Sequence, residues 1–363
     1  KLLIDRCLDN PNMPAQPDIF VQITVPNEFQ TIGKVNIGIT AGIETTIAAA
    51  PWIEGCNKMD LILVSSEHSK HVLQNSFFTK HDNQTKQAVG QIKLEKPIEV
   101  LMEGVDPTTY FKTNDIHESV HNQIDSVKEK NALLFVGHWL KGNFGEDRKN
   151  IAGLIKTFFE TFKDKSTANK PALILKTSSA DFSPIDRKSI LERIEMIADT
   201  VVDKKKGLPK VYLLHGDLTN DEMNSLYNHP KVKAHVTFTK GEGFGRPLAE
   251  ASLSEKPIIS PIWSGQADFL RHAVKVEGQL TKVHPSAAWE NVILEESEWF
   301  SVNYKHGAAA MNYVLDKKND KALKVLGKRQ ASVIKKEYLM EHMEKQLIDH
   351  LDKYTSGIPV NVP

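Results

Sequence analysis

Apolar positions along the chain alternate between two patterns. Short unbroken runs, Ala132 to Val136, Ala172 to Leu175, Val211 to Leu214, Ala234 to Phe238 and Pro257 to Ile259, have the length and composition of buried strands. Between them the spacing turns helical. Ile151, Leu154, Ile155, Phe158, Phe159 and Phe162 recur at i, i+3, i+4, i+7, i+8 and i+11, which is one face of a helix. Ser183-Pro184 offers an N-cap and a proline at the first helical position, and Ile190, Ile194, Ile197 and Val201 then line one side of the helix. Thr219 caps a shorter helix with Asp221 and Glu222 in its first turn. A last helix is expected over Pro247 to Leu253.

Continuous apolar strands alternating with helices indicate a parallel sheet covered on both faces. The pattern predicts a doubly wound α/β domain over 128–320. Ligands in such sheets sit at the carboxyl ends of the strands, so the loops after Val136, Leu175, Leu214 and Phe238 are the ones to inspect. Residues 1–127 repeat the theme more weakly, with strands at Ile19 to Val25, Val35 to Ile39, Leu61 to Val64 and Ile98 to Met102 and helices at 46–58 and 66–78. We expect a second, shorter α/β domain there. The opening Lys1-Leu2-Leu3-Ile4, without Met, leads us to expect that this domain is truncated. Residues 114–130 are polar and hold the link. Residues 321–363 are expected to form a C-terminal helix packing back across both domains.

Composition narrows the class. The 363 residues suit about two domains. Lys and Arg balance Asp and Glu at 46 each, so no global basic excess points to nucleic acid. No apolar run approaches the ~18 residues of a membrane span. Cys7 and Cys56 form neither a disulfide framework nor a metal knuckle and read as reduced thiols, from which a cytoplasmic protein is expected. The lysines of the C-terminal helix leave two readings open: a solvated face, or peripheral contact with anionic lipid.

The chemistry concentrates in Thr239 to Glu250, TKGEGFGRPLAE. Three glycines, Gly241, Gly243 and Gly245, allow positive φ and close approach of a ligand to the backbone. Pro247 suits a helix start, and the free N–H groups around Phe244 to Leu248 then make an anion site. Glu242 before the helix and Glu250 one turn into it would repel phosphate unless they bind something else. Sugar hydroxyls are the natural partner, because a carboxylate can accept from two adjacent OH groups. The residues alone suggest a nucleotide-sugar, with one glutamate for each sugar.

Glu242 and Glu250, with seven residues between them, resemble the paired-glutamate motif of retaining GT-B glycosyltransferases of the GT4-like type, glycosyl transferases group 1. Leu134 to Gly137 followed by Arg148-Lys149-Asn150, Leu218 to Tyr227, Ala249 to Ile259, and Gly104-Val105-Asp106 with Phe111 are similar to further elements of that family, in its order. The resemblance covers about residues 35–275. It implies a GT-B fold: two Rossmann-like α/β domains facing a cleft, the first binding the acceptor and the second the donor. It implies that Glu250 accepts from the ribose hydroxyls and that Glu242 holds the transferred sugar. Phe244 and Gly245, beside Gly243, would lend backbone N–H groups, and Lys149 would neutralise the leaving diphosphate. Many members carry Arg after the glycine at Gly137; here His138 stands there, which leaves open whether Arg148 replaces it. Arg246 departs from the usual aliphatic residue and either adds charge to the phosphate site or faces solvent. Lys176 is a further candidate for the donor crevice.

On the acceptor side, Thr40, Glu44 and Thr45 follow a strand. Glu44 and Thr45 face the cleft or else cap a helix. Ser66 reads as an N-cap, since no nucleophile elbow surrounds it. No metal or other cofactor is expected beyond the nucleotide-diphosphate sugar as co-substrate. The acceptor is a glycan, a lipid or a small molecule. The other functions weighed are a nucleotide-sugar epimerase or a phosphorylase on the same fold, and a non-catalytic sugar- or nucleotide-binding module.

Overall fold

A computed structural model describes residues 7, 15–82, 84–179, 181–201 and 207–356. The opening Leu2-Leu3-Ile4 and the end of the expected C-terminal helix, 357–363, lie outside the described residues.

The first lobe runs β1 (Ile19–Ile23), β2 (Val35–Thr40), α1 (Ala50–Cys56), β3 (Leu61–Val64), α2 (Glu67–Asn75), β4 (Phe78–His81), β5 (Ala88–Ile92) and β6 (Ile98–Val100). Strands β1, β2, β3 and β6 pair in that order, all parallel. Leu61 to Val64 are fully buried, as an unbroken apolar run requires. Ser66 caps α2 by accepting from the Ser69 amide. β4 and β5 form an exposed antiparallel hairpin of mixed polar and apolar residues that the hydrophobic pattern does not reveal.

The chain then leaves the lobe through Gly104-Val105 and α3 (Glu118–Ile124). The second lobe runs β7 (Ala132–Val136), α4 (Ile151–Phe162), β8 (Ala172–Lys176), α5 (Pro184–Val201), β9 (Lys210–Leu214), α6 (Asn220–Asn228), β10 (Val232–Val236), α7 (Arg246–Ser252), β11 (Ile258–Ser260) and β12 (Val274–Lys275). Its parallel sheet has the order β12-β11-β10-β7-β8-β9. That is the doubly wound arrangement, and its switch point lies between β7 and β10. Every apolar position of the Ile151 to Phe162 stripe is buried, packed with Phe135, Leu173 and Leu175 of the sheet. Thr219 and Glu222 complete a capping box at α6.

An antiparallel pair, β13 (Gly278–Lys282) and β14 (Glu298–Val302), comes after the sheet. The segment between them spans the two lobes: Val292 and Leu294 pack on the first-lobe core, and the Thr46 and Glu298 backbones are joined at 3.0 Å. α8 (Tyr304–Leu315), α9 (Asp320–Glu337) and α10 (Met340–Thr355) close the chain. The one C-terminal helix expected from the sequence is therefore two, because Tyr338 leaves helical geometry and Leu339 is extended. α9 packs on the second lobe. α10 returns to the first sheet, where Leu347, Leu351 and Tyr354 cover Ile37, Leu61 and Leu63. At this crossing Val105 and Leu339 form a parallel bridge, with Val105 N donating to Tyr338 O and Met340 N to Val105 O. Gly104 is required there, since a Cβ would meet the Met340 backbone at 2.7 Å.

Candidate functional site

The crevice at the switch point is walled by the segments that come after β7 and β10. Beyond β10 the chain runs through Thr237 to Thr239 into the glycine loop and α7. Lys240 N donates to Arg148 O at 2.7 Å, and this backbone bond carries the Arg148-Lys149 pair to the mouth of the loop. Asp147 holds the pair from behind, accepting from Ile151 N at the start of α4.

Four charges meet there. Lys149 Nζ lies 2.6 and 2.7 Å from the two Glu242 carboxylate oxygens. Arg148 Nη1 donates to Gly241 O at 2.8 Å and to Glu242 Oε2 at 3.1 Å. The same nitrogen is 3.6 Å from Glu44 Oε1, which reaches across from the first lobe. Burial alone would raise the Glu242 carboxyl, but Lys149 and Arg148 outweigh it and hold the group at about 2. Glu242 and Lys149 are each only 8% exposed, so the pair is desolvated and fixed in place.

Glu250 has a separate setting. Its carboxylate accepts from Arg246 Nε at 2.8 Å and from Tyr227 OH at 3.2 Å. Burial nevertheless raises its pKa. Arg246 settles on Glu250 rather than simply facing solvent, although more than half of its side chain is exposed. Glu103, just before Gly104-Val105, is also raised by burial, against the pull of the nearby Arg246 and with the charges of Glu250 and Glu242 adding to it. The Tyr110 hydroxyl is pushed up to about 12 by burial and by Glu250. Glu103, Tyr110 and Tyr227 are members of this cluster that sequence reasoning did not single out. The signal was adjacency, since Glu103 precedes the Gly104-Val105-Asp106 element and Tyr227 ends the segment before β10.

The three glycines divide their work differently from expectation. Only Gly245 adopts a left-handed backbone, with φ of 102°, and it stands at the N-cap of α7. Gly241 and Gly243 serve close approach of the lobes. A Cβ on Gly241 would lie 2.0 Å from Glu44 O, and one on Gly243 would lie 2.8 Å from Gly42 N. Ser65 Oγ donates to Gly243 O at 3.1 Å, and Glu67 N donates to Asp268 Oδ2 at 2.9 Å, both from lobe to lobe. The amides of Gly243, Phe244 and Gly245 meet no acceptor among the described residues. The Phe244 ring is buried against Phe269.

Of the remaining candidates, Gly137 donates to Lys176 O and so joins the ends of β7 and β8. His138 contacts Ser178 Oγ through Nδ1 at 3.2 Å. Burial and the charges of Lys149, Lys176 and Arg148 lower its pKa, which puts it in the same crevice as those cations. Lys176 Nζ is tied to Gly216 O at 2.7 Å and lies over the Phe182 ring, on the far side of that crevice. Thr40 ends β2 and is buried. Thr45 donates to Ile47 O. Neither Glu44 nor Thr45 caps a helix, because α1 starts at Ala50 with Ala49 as its N-cap. His235 bonds Ser254 Oγ inside the core. Among the described residues, no group of three or more His, Cys, Asp and Glu is placed to hold a metal ion, and no helix is long and apolar enough to cross a membrane.

The sequence matches no family model and no curated protein. Solved structures do resemble the chain. A sucrose-phosphate synthase from Thermosynechococcus elongatus is 12% identical over 94% of this chain and 74% of its own, with a TM-score of 0.60. An α,α-trehalose-phosphate synthase from Burkholderia xenovorans, in complex with glucose-6-phosphate, is 10% identical over 93% and 74%, with a TM-score of 0.60. An E. coli structure described as trehalose-6-phosphate bound with UDP-2-fluoro glucose is 13% identical over 88% and 68%, with a TM-score of 0.55. The chain spans as little as 66% of one such synthase. At these identities the likeness establishes the fold. It is GT-B, two Rossmann-like lobes facing one another, as the sequence led us to expect.

Proposed function

We propose that this chain is a retaining glycosyltransferase that moves a hexose from a nucleotide-diphosphate sugar to an acceptor hydroxyl. One observation carries the reading. Glu242 and the cations Lys149 and Arg148 converge in the loops beyond β7 and β10, opposite the first-lobe loop that holds Glu44, and Glu250 stands on α7, which opens from the same glycine loop. The neighbours described with UDP-2-fluoro glucose and with glucose-6-phosphate support a nucleotide-sugar donor and a small-molecule acceptor. The buried Cys56 thiol favours a cytoplasmic setting.

In this reading Glu250 accepts from the ribose hydroxyls, held in place by Tyr227. Lys149 shares its charge between Glu242 and the departing diphosphate, and the free amides of Gly243 to Gly245 donate to the same anion. Arg148, already bonded to Gly241 O, keeps Glu242 in position against the sugar while Lys149 turns to phosphate. The transition state has oxocarbenium character with negative charge growing on phosphate. Preorganised donors to such charge are the largest catalytic contribution, and removing one costs about 10²–10³ in rate.

The test is a thermal-shift panel of nucleotide-diphosphate sugars, then turnover of the donor that binds. At least one donor raises the melting temperature by preferential binding to the folded state, Glu250→Ala abolishes the shift, and Glu242→Ala abolishes transfer. No shift with any donor overturns the reading. A second reading, a donor-binding module without turnover, draws on the engagement of both Glu242 oxygens by Lys149. A donor that shifts the protein but is neither hydrolysed nor transferred identifies it.

A further inference from the structure

We propose that the outer face of α9 is a docking surface for an anionic phospholipid membrane. The chain as a whole balances 46 cations against 46 anions, yet between Lys317 and Lys336 it carries eight Lys and Arg and a single Asp. On α9 those cations are not scattered. Lys321, Lys324, Lys328, Arg329, Lys335 and Lys336 are all exposed and fall within an arc of about 140° of the helix. Inside that arc sits Val325, 47% exposed. The opposite face, with Leu323, Gly327, Gln330, Ala331 and Ile334, is buried against the second lobe.

The fold does not require this arrangement. Cations at the start of a helix oppose its dipole, and Lys317, Lys318 and Lys321 all stand at the start of α9. Among the described residues, Lys318 pairs with Asp316 and Lys335 lies 3.8 Å from Glu255, while Lys321, Lys324, Lys328, Arg329 and Lys336 form no ion pair. The cationic surface also continues past the helix. Lys317 lines a hollow of about 560 Å³ shared with Lys130, Lys165 and Lys170, as well as Asp316, wide enough for a phosphate headgroup. A helix lying flat, cationic along its length with an apolar residue among the charges, suits a lipid interface. Single-stranded nucleic acid would call for base-stacking aromatics, and α9 presents none on this face, while a duplex is distinguished by experiment.

The test uses the whole chain and sedimentation with vesicles of phosphatidylcholine alone or with 30 mol% phosphatidylglycerol, in about 0.1 M and 0.5 M salt. We expect binding to the anionic vesicles at low salt, at least tenfold weaker on phosphatidylcholine and weakened by high salt. Each basic contact is worth about fivefold, so Lys321→Gln with Lys324→Gln and Lys328→Gln should weaken binding about a hundredfold with an unchanged melting temperature. Val325→Asp should weaken it further. Equal binding to both vesicle types, no binding to anionic vesicles at low salt, or tighter binding to a DNA duplex than to the vesicles would each overturn the proposal. The comparison of the two vesicle types needs no variant. Its failure leaves the donor thermal shift untouched, so the two proposals fall separately.

Discussion

Lys149 Nζ contacts both carboxylate oxygens of Glu242, at 2.6 and 2.7 Å, from a position 93 residues earlier in the chain. Removing Lys149 leaves the buried Glu242 carboxylate with Arg148 alone beside it. Lys149→Ala should therefore destabilise the protein by about 3 kcal/mol, while Lys149→Met combined with Glu242→Gln should be close to neutral. Urea unfolding of the two variants measures the difference. Both should lack transfer activity, which separates the structural role of the pair from its chemical one.

Arg148 is bonded to Gly241 O and Glu242 and approaches Glu44 of the opposite lobe. Arg148→Gln should lower kcat about 10²-fold or more, through a displaced Glu242, with a smaller change in donor affinity. Glu44→Gln keeps the shape but loses the charge, and its loss should be tenfold or less. Steady-state kinetics with the donor found by thermal shift would decide, and a Glu44→Gln enzyme as impaired as Arg148→Gln would contradict this division of roles.

Gly241 touches the first-lobe backbone, where a Cβ would lie 2.0 Å from Glu44 O. Gly241→Ala should hold the lobes apart, so limited proteolysis near the crossing at Gly104-Val105 should accelerate and transfer should fall. Gly245→Ala acts by another route, forcing a side chain into a left-handed backbone at a cost of roughly 1 kcal/mol. It should lower stability without opening the lobes.

The pH response combines two opposed carboxyls. Glu242 is depressed to about 2 from 4.5, so its contribution to stability is complete above pH 4.5 and is lost as pH falls toward 2. Asp147 is pushed up to about 6 from 3.8 by burial. Its contribution is complete below pH 3.8 and is lost as pH rises through 6. Asp147→Asn should therefore raise stability at pH 8, by up to about 3 kcal/mol, with little change at pH 4. Melting curves across that range test the sign.

Much of the second lobe could be read in advance because its strands are continuous apolar runs and its helices carry signed caps. The Phe158–Phe159–Phe162 stripe and the Thr219 box are examples. Elements without a regular apolar period were not readable. The hairpin of β4 and β5 is exposed, β13 has Leu280 as its one large apolar residue, and β14 sets Trp299 and Phe300 side by side, so none of them shows a strand's apolar period. In the site, the sequence pointed to Glu242, Glu250 and Lys149 through local spacing. It could not show that Arg148 and Lys149 grip Glu242, because that contact forms where two distant loops of the second lobe meet, nor that Gly42 meets Gly243, which needs the two lobes together. Tyr227 and Glu103 were missed because each approaches Glu250 from a segment distant in sequence.

Besides the excursion between β13 and β14, the backbone changes lobe near Val105 and near Leu339, and those two segments are stitched to one another. The molecule thus has one spine, as a book does. A swing of one lobe against the other would turn about that seam, so the pages would part widest at the edge farthest from it.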